Sequence, residues 1–346
     1  MRRRSLAFAL LAALVPVAAG AFPDRPITLV TGYAPGGSTD IAARILADRM
    51  PSYMGSEARI VVDNRPGAAG VIATEWLKRQ PADGYTIMVT ETGASAAAPA
   101  AMIGGTRYDP VTDFTHIGIV STPPGVLVVT ESLPGRTPAE VLETLRRAAP
   151  DQLTYASSGV GGVLHLRAEM LAQAFGTRYV HVPYRSGAQM VQSIMTGESQ
   201  SGIAALASAT PLMRDGKIRG IAMVGDRRFP LYPDIPTLGE LGVPGFDNGG
   251  YFLLIAPAGL PPRVAEALNR ALVRTLAEPI VRDRMLTAGH EPPDGPNDLA
   301  AARCLHGAGI CDLPEDRRAN RGPAAALTEV RPCCGFRRRS SAARGR

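Results

Sequence analysis

One arrangement that occurs twice restricts this chain more than any other feature. An apolar, β-branched run, Ile27-Thr-Leu-Val-Thr31, leads into the glycine turn Gly32-Tyr-Ala-Pro-Gly-Gly-Ser-Thr-Asp40. A helical pattern with Ile41, Ile45 and Leu46 on one side leads out of it. Later, Leu153-Thr-Tyr-Ala156 runs into Ser157-Ser-Gly-Val-Gly-Gly162, followed by Leu164, Leu166, Met170 and Leu171 at helical spacing. Strand, glycine turn and helix open a parallel α/β unit, and open α/β sheets bind ligands at the carboxyl ends of their strands. Gly36 and Gly37 let the backbone approach a ligand, and Ser38, Thr39 or Asp40 can cap the helix start. The amides exposed there, with the positive end of the helix dipole, favour an anion. Two such units facing each other would aim two helix N-termini into one cleft.

The remaining pattern supplies the rest of two lobes. A strand over 58–62 ends in Asp63-Asn-Arg-Pro-Gly-Ala-Ala-Gly70, a helix carries Val71, Ile72, Trp76 and Leu77, and a third strand covers 85–90. A helix over 94–103 and a strand over 114–120 follow. Pro123-Pro-Gly125 then breaks the rhythm, where the chain is expected to cross between lobes. The second unit predicts helices over 138–148 and 187–195, with strands over 153–156, 179–184, 201–207 and 218–224. A Pro- and Gly-rich connector covers 226–244, a return strand 248–257, and helices over 261–277 and 279–288 pack back on the first lobe. At 346 residues the chain exceeds one small core. The expectation is α/β, two lobes, each an open and mainly parallel sheet with flanking helices. The first lobe takes 22–122 and 247–300, and the second, with the connector, takes 123–246.

The two ends read differently from the body. Arg2-Arg-Arg4, an apolar stretch from Leu6 to Val17 and the small residues Ala19-Gly-Ala21 form an export signal cleaved after Ala21, placing the protein in the periplasm. Removing its three arginines from 37 basic residues leaves 34 against 31 acidic ones. Ten of those arginines and four acids follow residue 300, so the body 22–300 holds 24 basic and 27 acidic residues. A mildly acidic body without a basic stripe gives no reason to invoke nucleic acid, and no nucleic-acid partner is expected. All four cysteines, Cys304, Cys311, Cys333 and Cys334, lie in the tail at spacings that fit no zinc pattern, so neither metal nor cofactor is called for. The tail 301–346 lacks helical periodicity and reads either as a shifted coding frame or as a disordered basic segment.

Enzyme chemistry finds little support. No Gly-x-Ser-x-Gly elbow and no Gly-Lys-Ser/Thr phosphate loop occurs. Ser157 or Ser158 with His165 is the one pairing a hydrolase could use. His165 can equally bind an anion or satisfy a core hydrogen bond. Tyr33 and Tyr184 end strands toward the expected cleft, and Arg185 could clamp a carboxylate.

Several stretches together resemble the tripartite tricarboxylate transporter substrate-binding proteins, the TctC or Bug family of bacterial periplasmic receptors. They are Phe22-Pro-Asp-Arg-Pro-Ile27, Gly36-Gly-Ser-Thr-Asp40, Asn64-Arg-Pro-Gly-Ala-Ala-Gly70, Pro81-Ala-Asp-Gly-Tyr-Thr86 and Tyr108-Asp-Pro-Val-Thr-Asp-Phe114. Tyr155-Ala-Ser-Ser-Gly-Val-Gly161 with His165-Leu166, His181-Val-Pro-Tyr184, Asp234-Ile-Pro-Thr-Leu-Gly-Glu-Leu-Gly242 and Ala256-Pro-Ala-Gly-Leu-Pro261 continue the series in family order. The resemblance implies a periplasmic-binding-protein-like fold of type II that is not an enzyme. It implies a monomeric receptor gripping one carboxylate of a small organic ligand and two integral membrane subunits of a transporter as partners. The ligand-binding residues so implied are Tyr33, Ala34, Pro35, Gly36, Gly37, Ser38, Thr39 and Asp40 from the first turn. From the second come Ser157, Ser158, Gly159, Gly161, Gly162, His165 and Tyr184. A receptor presenting its ligand to a membrane sensor is the alternative. The chain departs from the family at Gly162, where a hydroxyl residue is usual, at Gln200 and Ala204, where acids are usual, and at Tyr251, where tryptophan is usual. The loss of acids speaks against a ligand carrying a free amino group.

Overall fold

The computed structural model describes residues 22–303 apart from 103 and 247–249. The export signal and the cysteines of the tail therefore lie outside the described residues. In chain order the elements are β1 (Ile27–Thr31), α1 (Ser38–Arg49), β2 (Ile60–Asn64), α2 (Val71–Lys78), β3 (Thr86–Glu91), α3 (Ala98–Ala101) and β4 (Phe114–Ser121). Next come β5 (Gly125–Val129), α4 (Pro138–Arg147), β6 (Thr154–Ser157), α5 (Val163–Ala174), β7 (Val180–Pro183), α6 (Gly187–Thr196), β8 (Ser201–Ala205), α7 (Leu206–Arg214) and β9 (Arg219–Val224). Finally β10 (Phe252–Pro257), α8 (Pro262–Ala277) and α9 (Pro279–Thr287) return to the first sheet.

These strands form two five-stranded sheets of matching order, β2-β1-β3-β10-β4 and β7-β6-β8-β5-β9. β1 runs parallel to β2 and β3, and β6 parallel to β7 and β8. The exceptions are β10 and β5, each antiparallel to both neighbours. Their direction follows from the path of the chain. β4 ends at the carboxyl edge of the first sheet, so the next strand enters the second sheet from the cleft and must run away from it. The same holds in reverse for β10 after β9. Both sheets thus turn the carboxyl ends of their parallel strands toward one cleft, where loops carry binding groups.

Each sheet is covered on both faces, and the pleat sorts its residues. Ile27 and Leu29 of β1 join a core with α1, α8 and α9, whereas Val30 joins another with Val71, Leu77 and Met88. Along α8, Val264, Leu268, Ala271, Leu272 and Leu276 repeat at helical spacing and bury one stripe. In the second sheet, Leu127 and Val129 pack with α4 and α5, while Val126 and Val128 pack with α6 and α7. The connector contributes Leu238 and Val243 to the second core, and Phe246 just beyond it joins them.

Several boundaries differ from the sequence expectation: β2 covers Ile60–Asn64 and not 58–62, β10 begins at Phe252 and not at 248, and three further differences bear on the cleft or its neighbours. The segment expected as a helix over 94–103 is a wide π turn, Gly93–Ala97, followed by the short α3 with Pro99 near its start. The strand expected over 201–207 stops at Ala205, because Leu206 N–H donates to the carbonyl of Pro124 at 2.9 Å and turns the chain into α7. β3 runs one residue further than expected, to Glu91, which places a carboxylate at the cleft edge. Residues 299–303 form a helical turn, with Ala301 N–H capped by Asp298 Oδ1 at 2.7 Å and Ala302 fully buried.

The start of the first turn leaves no room for a side chain. A Cβ on Gly32 would sit 2.6 Å from the Cα of Gly70. Gly32→Ala should lower unfolding stability in urea by about 1–3 kcal/mol through this backbone clash. Gly225→Ala, whose Cβ would meet nothing closer than 4.0 Å, should change it little.

Candidate functional site

α1 begins at Gly37 without a side-chain cap, contrary to the expectation that Ser38, Thr39 or Asp40 caps it. Gly36, at φ +81°, turns the chain so that Asp40 folds back over it. Asp40 Oδ2 accepts from Gly36 N–H and from Arg44 Nε, both at 2.9 Å, and Oδ1 accepts from Asn64 Nδ2 at 2.9 Å. The same Asn64 amide donates to Thr31 Oγ1 and to the Tyr33 carbonyl. Burial alone would raise the Asp40 pKa; the bonds from Arg44, Gly36 and Asn64 outweigh it and hold the carboxyl below its usual range. Asp40 is spent on shaping the turn. Ser38 and Thr39 are also buried, and their hydroxyls have no partner among the described residues.

The second turn is held by histidines. Ser157 Oγ lies 2.7 Å from His181 Nε2 and accepts from Gly159 N–H at 3.2 Å. Gly161 N–H donates to His165 Nδ1 at 3.2 Å, so neutral His165 carries its proton on Nε2. The rings of His165 and His181 stack at 4.2 Å, and Tyr155 continues the stack below His181 at 4.8 Å. Tyr155 OH donates to Glu169. Burial lowers the pKa of both imidazoles, and for His181 the neighbouring His165 adds to it, bringing it to about 4. The pairing a hydrolase would need between Ser157 or Ser158 and His165 does not form. Ser157 is fully buried on His181, and His165 shapes the turn.

The two turns do not meet head-on. The start of α1 faces α6 and α7: Ala34 N–H donates to the Arg185 carbonyl at 3.3 Å, and Ser38 N–H to Ser208 Oγ at 3.1 Å. Gly37 approaches Ser186, and Gly36 approaches Ala188. The turn before α5 instead faces the turn before α2, where a Cβ on Gly159 would meet Ala69 at 3.1–3.2 Å. Between these contacts lies a cavity of about 230 Å³ bounded by Gly32, Tyr33, Gly67–Ala69, Ser158–Val160 and Pro183–Arg185. Of the expected residues, Tyr33, Ser158, Gly159 and Tyr184 line it. Ala34 through Asp40, Ser157, Gly161, Gly162 and His165 stand behind it or beside it. The Tyr184 hydroxyl is buried without a partner among the described residues. The turn Gly67–Ala69 had the same strand, glycine and helix signature as the other two, and that signature was the signal for it. Its Ala68 and Ala69 adopt φ of +45° and +50°, local strain at the cavity wall.

A second group at the cleft was not foreseen. Glu91, at the end of β3, accepts from Tyr33 OH. Burial, only partly offset by that bond and by Arg167, raises its pKa to about 7. Arg167 comes from α5 in the other lobe. Gln200, where the family usually carries an acid, ties β6 to β8 through Thr154 and does not reach the cavity.

A hollow of about 380 Å³ lies elsewhere, on the second lobe beside Arg136, Met213 and Tyr232. One of the two arginines on its wall, Arg219, is spent on the carbonyls of Gly135, Leu133 and Thr130. Among the described residues no group of three His, Cys, Asp or Glu side chains could hold a metal, and no helix is long and apolar enough to cross a membrane.

Two matching sheets opening onto a shared cleft of glycine turns define a two-lobed solute-binding protein. The family model of the tripartite tricarboxylate transporter family receptor matches residues 42–302, and the chain belongs to that family. A UPF0065 protein in the gbd 5' region of Cupriavidus necator is 34% identical over 274 residues, 78% of this chain and 80% of that protein. The periplasmic binding protein BugD superimposes with a TM-score of 0.74 at 31% identity, covering 78% of this chain and 89% of BugD. Rpa4515 of R. palustris, solved with adipate, gives 0.76 at 32% identity, covering 81% and 91%. These relatives are solute-binding proteins and not enzymes, as the sequence led us to expect.

Glu91 sets a pH dependence of stability. Its folded pKa of about 7 lies above its ordinary 4.5, so the folded chain binds the proton more tightly than the unfolded one. The stability this contributes is full below pH 4.5 and is lost as pH rises through 7. The loss is on the order of 3 kcal/mol. Denaturation of Glu91→Gln between pH 4.5 and 8 should lack that decline.

Proposed function

We propose that the chain is a periplasmic receptor that captures a small organic carboxylate between the turns over 32–40 and 157–165 and delivers it to a tripartite tricarboxylate-type transporter. The observation that supports this most is the Tyr184 hydroxyl, buried without a partner among the described residues, on a residue that lines the cavity together with Ser158. A buried hydroxyl left unpaired costs about 1–3 kcal/mol, and a bound carboxylate removes that cost. Helix starts around the cavity add amides and dipoles of the right sign without needing an arginine. The adipate held by Rpa4515 points to the same ligand class.

In this reading the lobes are 22–122 with 247–300 and 123–246. The mature chain starts at Phe22 in the periplasm, works as a monomer, and two integral membrane subunits take the ligand from it. Closure of hinged lobes on the ligand is the signal those subunits receive.

Thermal denaturation against a panel of mono-, di- and tricarboxylates tests the reading, since a ligand bound only by the folded state raises the melting temperature. At least one acid should do so. Tyr184→Phe and Ser158→Ala should each weaken that acid by about 5- to 10-fold, the worth of one hydrogen bond. Tyr184→Phe should leave the unliganded melting temperature unchanged or raised. A folded chain that no carboxylate stabilises would contradict the proposal.

A further inference from the structure

The turn that brings Ser158, Gly159 and Val160 to the cavity is fastened to a histidine at each end. At its start Ser157 Oγ lies 2.7 Å from His181 Nε2, and at its finish Gly161 N–H donates to His165 Nδ1 at 3.2 Å. Gly159 and Gly161 adopt φ of +137° and +78°, and a turn with this freedom takes its shape from the bonds at its ends. The fastening at Gly161 also starts α5. Gly162 gives that helix no side-chain cap, so His165, in the first turn, takes the part that Glu or Gln plays in a capping box and reaches back to an amide ahead of the helix. His165 acts through Gly161 and does not itself line the cavity.

We propose that His165 is a proton-operated latch of this turn: its neutral ring holds Ser158, Gly159 and Val160 in the shape that grips a carboxylate, and a proton on the ring frees them and releases the ligand in acid. The inference rests on the receptor reading above and adds a regulation of the same site. Gly161 N–H is a donor at every pH, so its bond needs a bare lone pair on Nδ1. A proton there sets donor against donor at 3.2 Å. It also places a cation in the first turn of α5, at the positive end of the helix dipole. The clash of donors is removed when Gly161 moves away from the ring, and the turn moves with it.

Three ionisable groups face His165. His181 of β7 stacks on its ring at 4.2 Å, Tyr155 of β6 lies nearly parallel beyond it at 6.3 Å, and Glu169, one turn along α5, comes within 3.9 Å of Nε2. Glu169 favours the charged ring, but it is half exposed and already accepts from the Tyr155 hydroxyl. Burial outweighs it and lowers the His165 pKa. His181 is held at about 4 by burial and by His165 itself, so His165, with Glu169 beside it, takes the first proton. His165 thus binds a proton more weakly while the turn is in place than when the turn is free. The gripping shape is fully favoured above the ordinary imidazole value of 6.5 and loses ground as pH falls below it.

NMR spectra of the isotope-labelled full chain, recorded without ligand from about pH 7.5 to about pH 5, test the latch. At the upper end His165 should carry its proton on Nε2. On acidification the Gly161 amide should shift, and exchange faster, with the same midpoint as the ring. In His165→Asn, whose Oδ1 accepts but takes no proton, that amide should stay still. Calorimetry then follows affinity for adipate or, where adipate leaves the melting temperature unmoved, for the acid of the panel above that raises it most. Between about pH 7.5 and 5.5 wild-type affinity should fall at least about 3-fold more than that of His165→Asn, which keeps only the part due to protonation of the acid itself. A ring that stays neutral throughout, or that titrates without moving Gly161, overturns the inference and leaves the receptor reading standing. So does an equal pH dependence of affinity, or of the Gly161 amide, in the two proteins. A chain that no carboxylate stabilises overturns both.

Discussion

Asp40 holds the first turn in the one shape from which the rest of the cleft is built. Its two carboxylate oxygens join Gly36 N–H, Arg44 and Asn64, and Asn64 ties the end of β2 to Thr31 and Tyr33 at the end of β1. A buried carboxylate with this many donors is stable where it is and has no capacity left for a ligand. The turn is thereby rigid before any ligand arrives. Rigidity places Tyr33 against the cavity, aims the amide of Ser38 at Ser208 in the other lobe, and sends the Tyr33 hydroxyl to Glu91.

The contacts between the lobes mix several kinds. Glycine meets alanine at Gly159 and Ala69, backbone meets backbone at Ala34 and Arg185, one hydroxyl meets one amide at Ser38 and Ser208, Arg227 pairs with Glu291, and Leu286 of α9 packs on the second core. Most of these are single polar or small-residue contacts. This suits a receptor whose ligand should supply most of the free energy of closure, because a ligand shifts the equilibrium only by its preference for one state. The expensive group is Glu91 opposite Arg167, where burial opposes charge in both lobes.

Much of this was legible in the sequence because it follows from periodicity. Both sheets, the two glycine turns, the passage near Pro123–Gly125 and the return helices α8 and α9 came from apolar spacing and turn residues. What was not legible depends on the angle at which the lobes meet. The offset that sets α1 against α6 and α7 decides that Ser208, Arg185 and the Gly67–Ala69 turn matter, and no spacing within one strand or helix encodes it. Glu91 was hidden for a different reason: a single carboxylate one residue past an apolar run looks like the end of a strand at the surface. Arg167 was hidden by its place on a helix of weak amphipathic contrast, where burial of a charge has no signature. Asp40 was expected at the helix start for its capping oxygen. It does sit there, but it bonds backward to Gly36 instead of capping α1.

A crystal structure of the full chain grown with adipate would test the central claim most directly. The account predicts the ligand between the lobes in the cavity lined by Tyr33, Ser158, Gly159 and Tyr184, with one carboxylate within hydrogen-bond distance of the Tyr184 hydroxyl. Adipate bound outside that cavity, for example beside Arg136 on the second lobe, or lobes that close without any carboxylate between them, would contradict it.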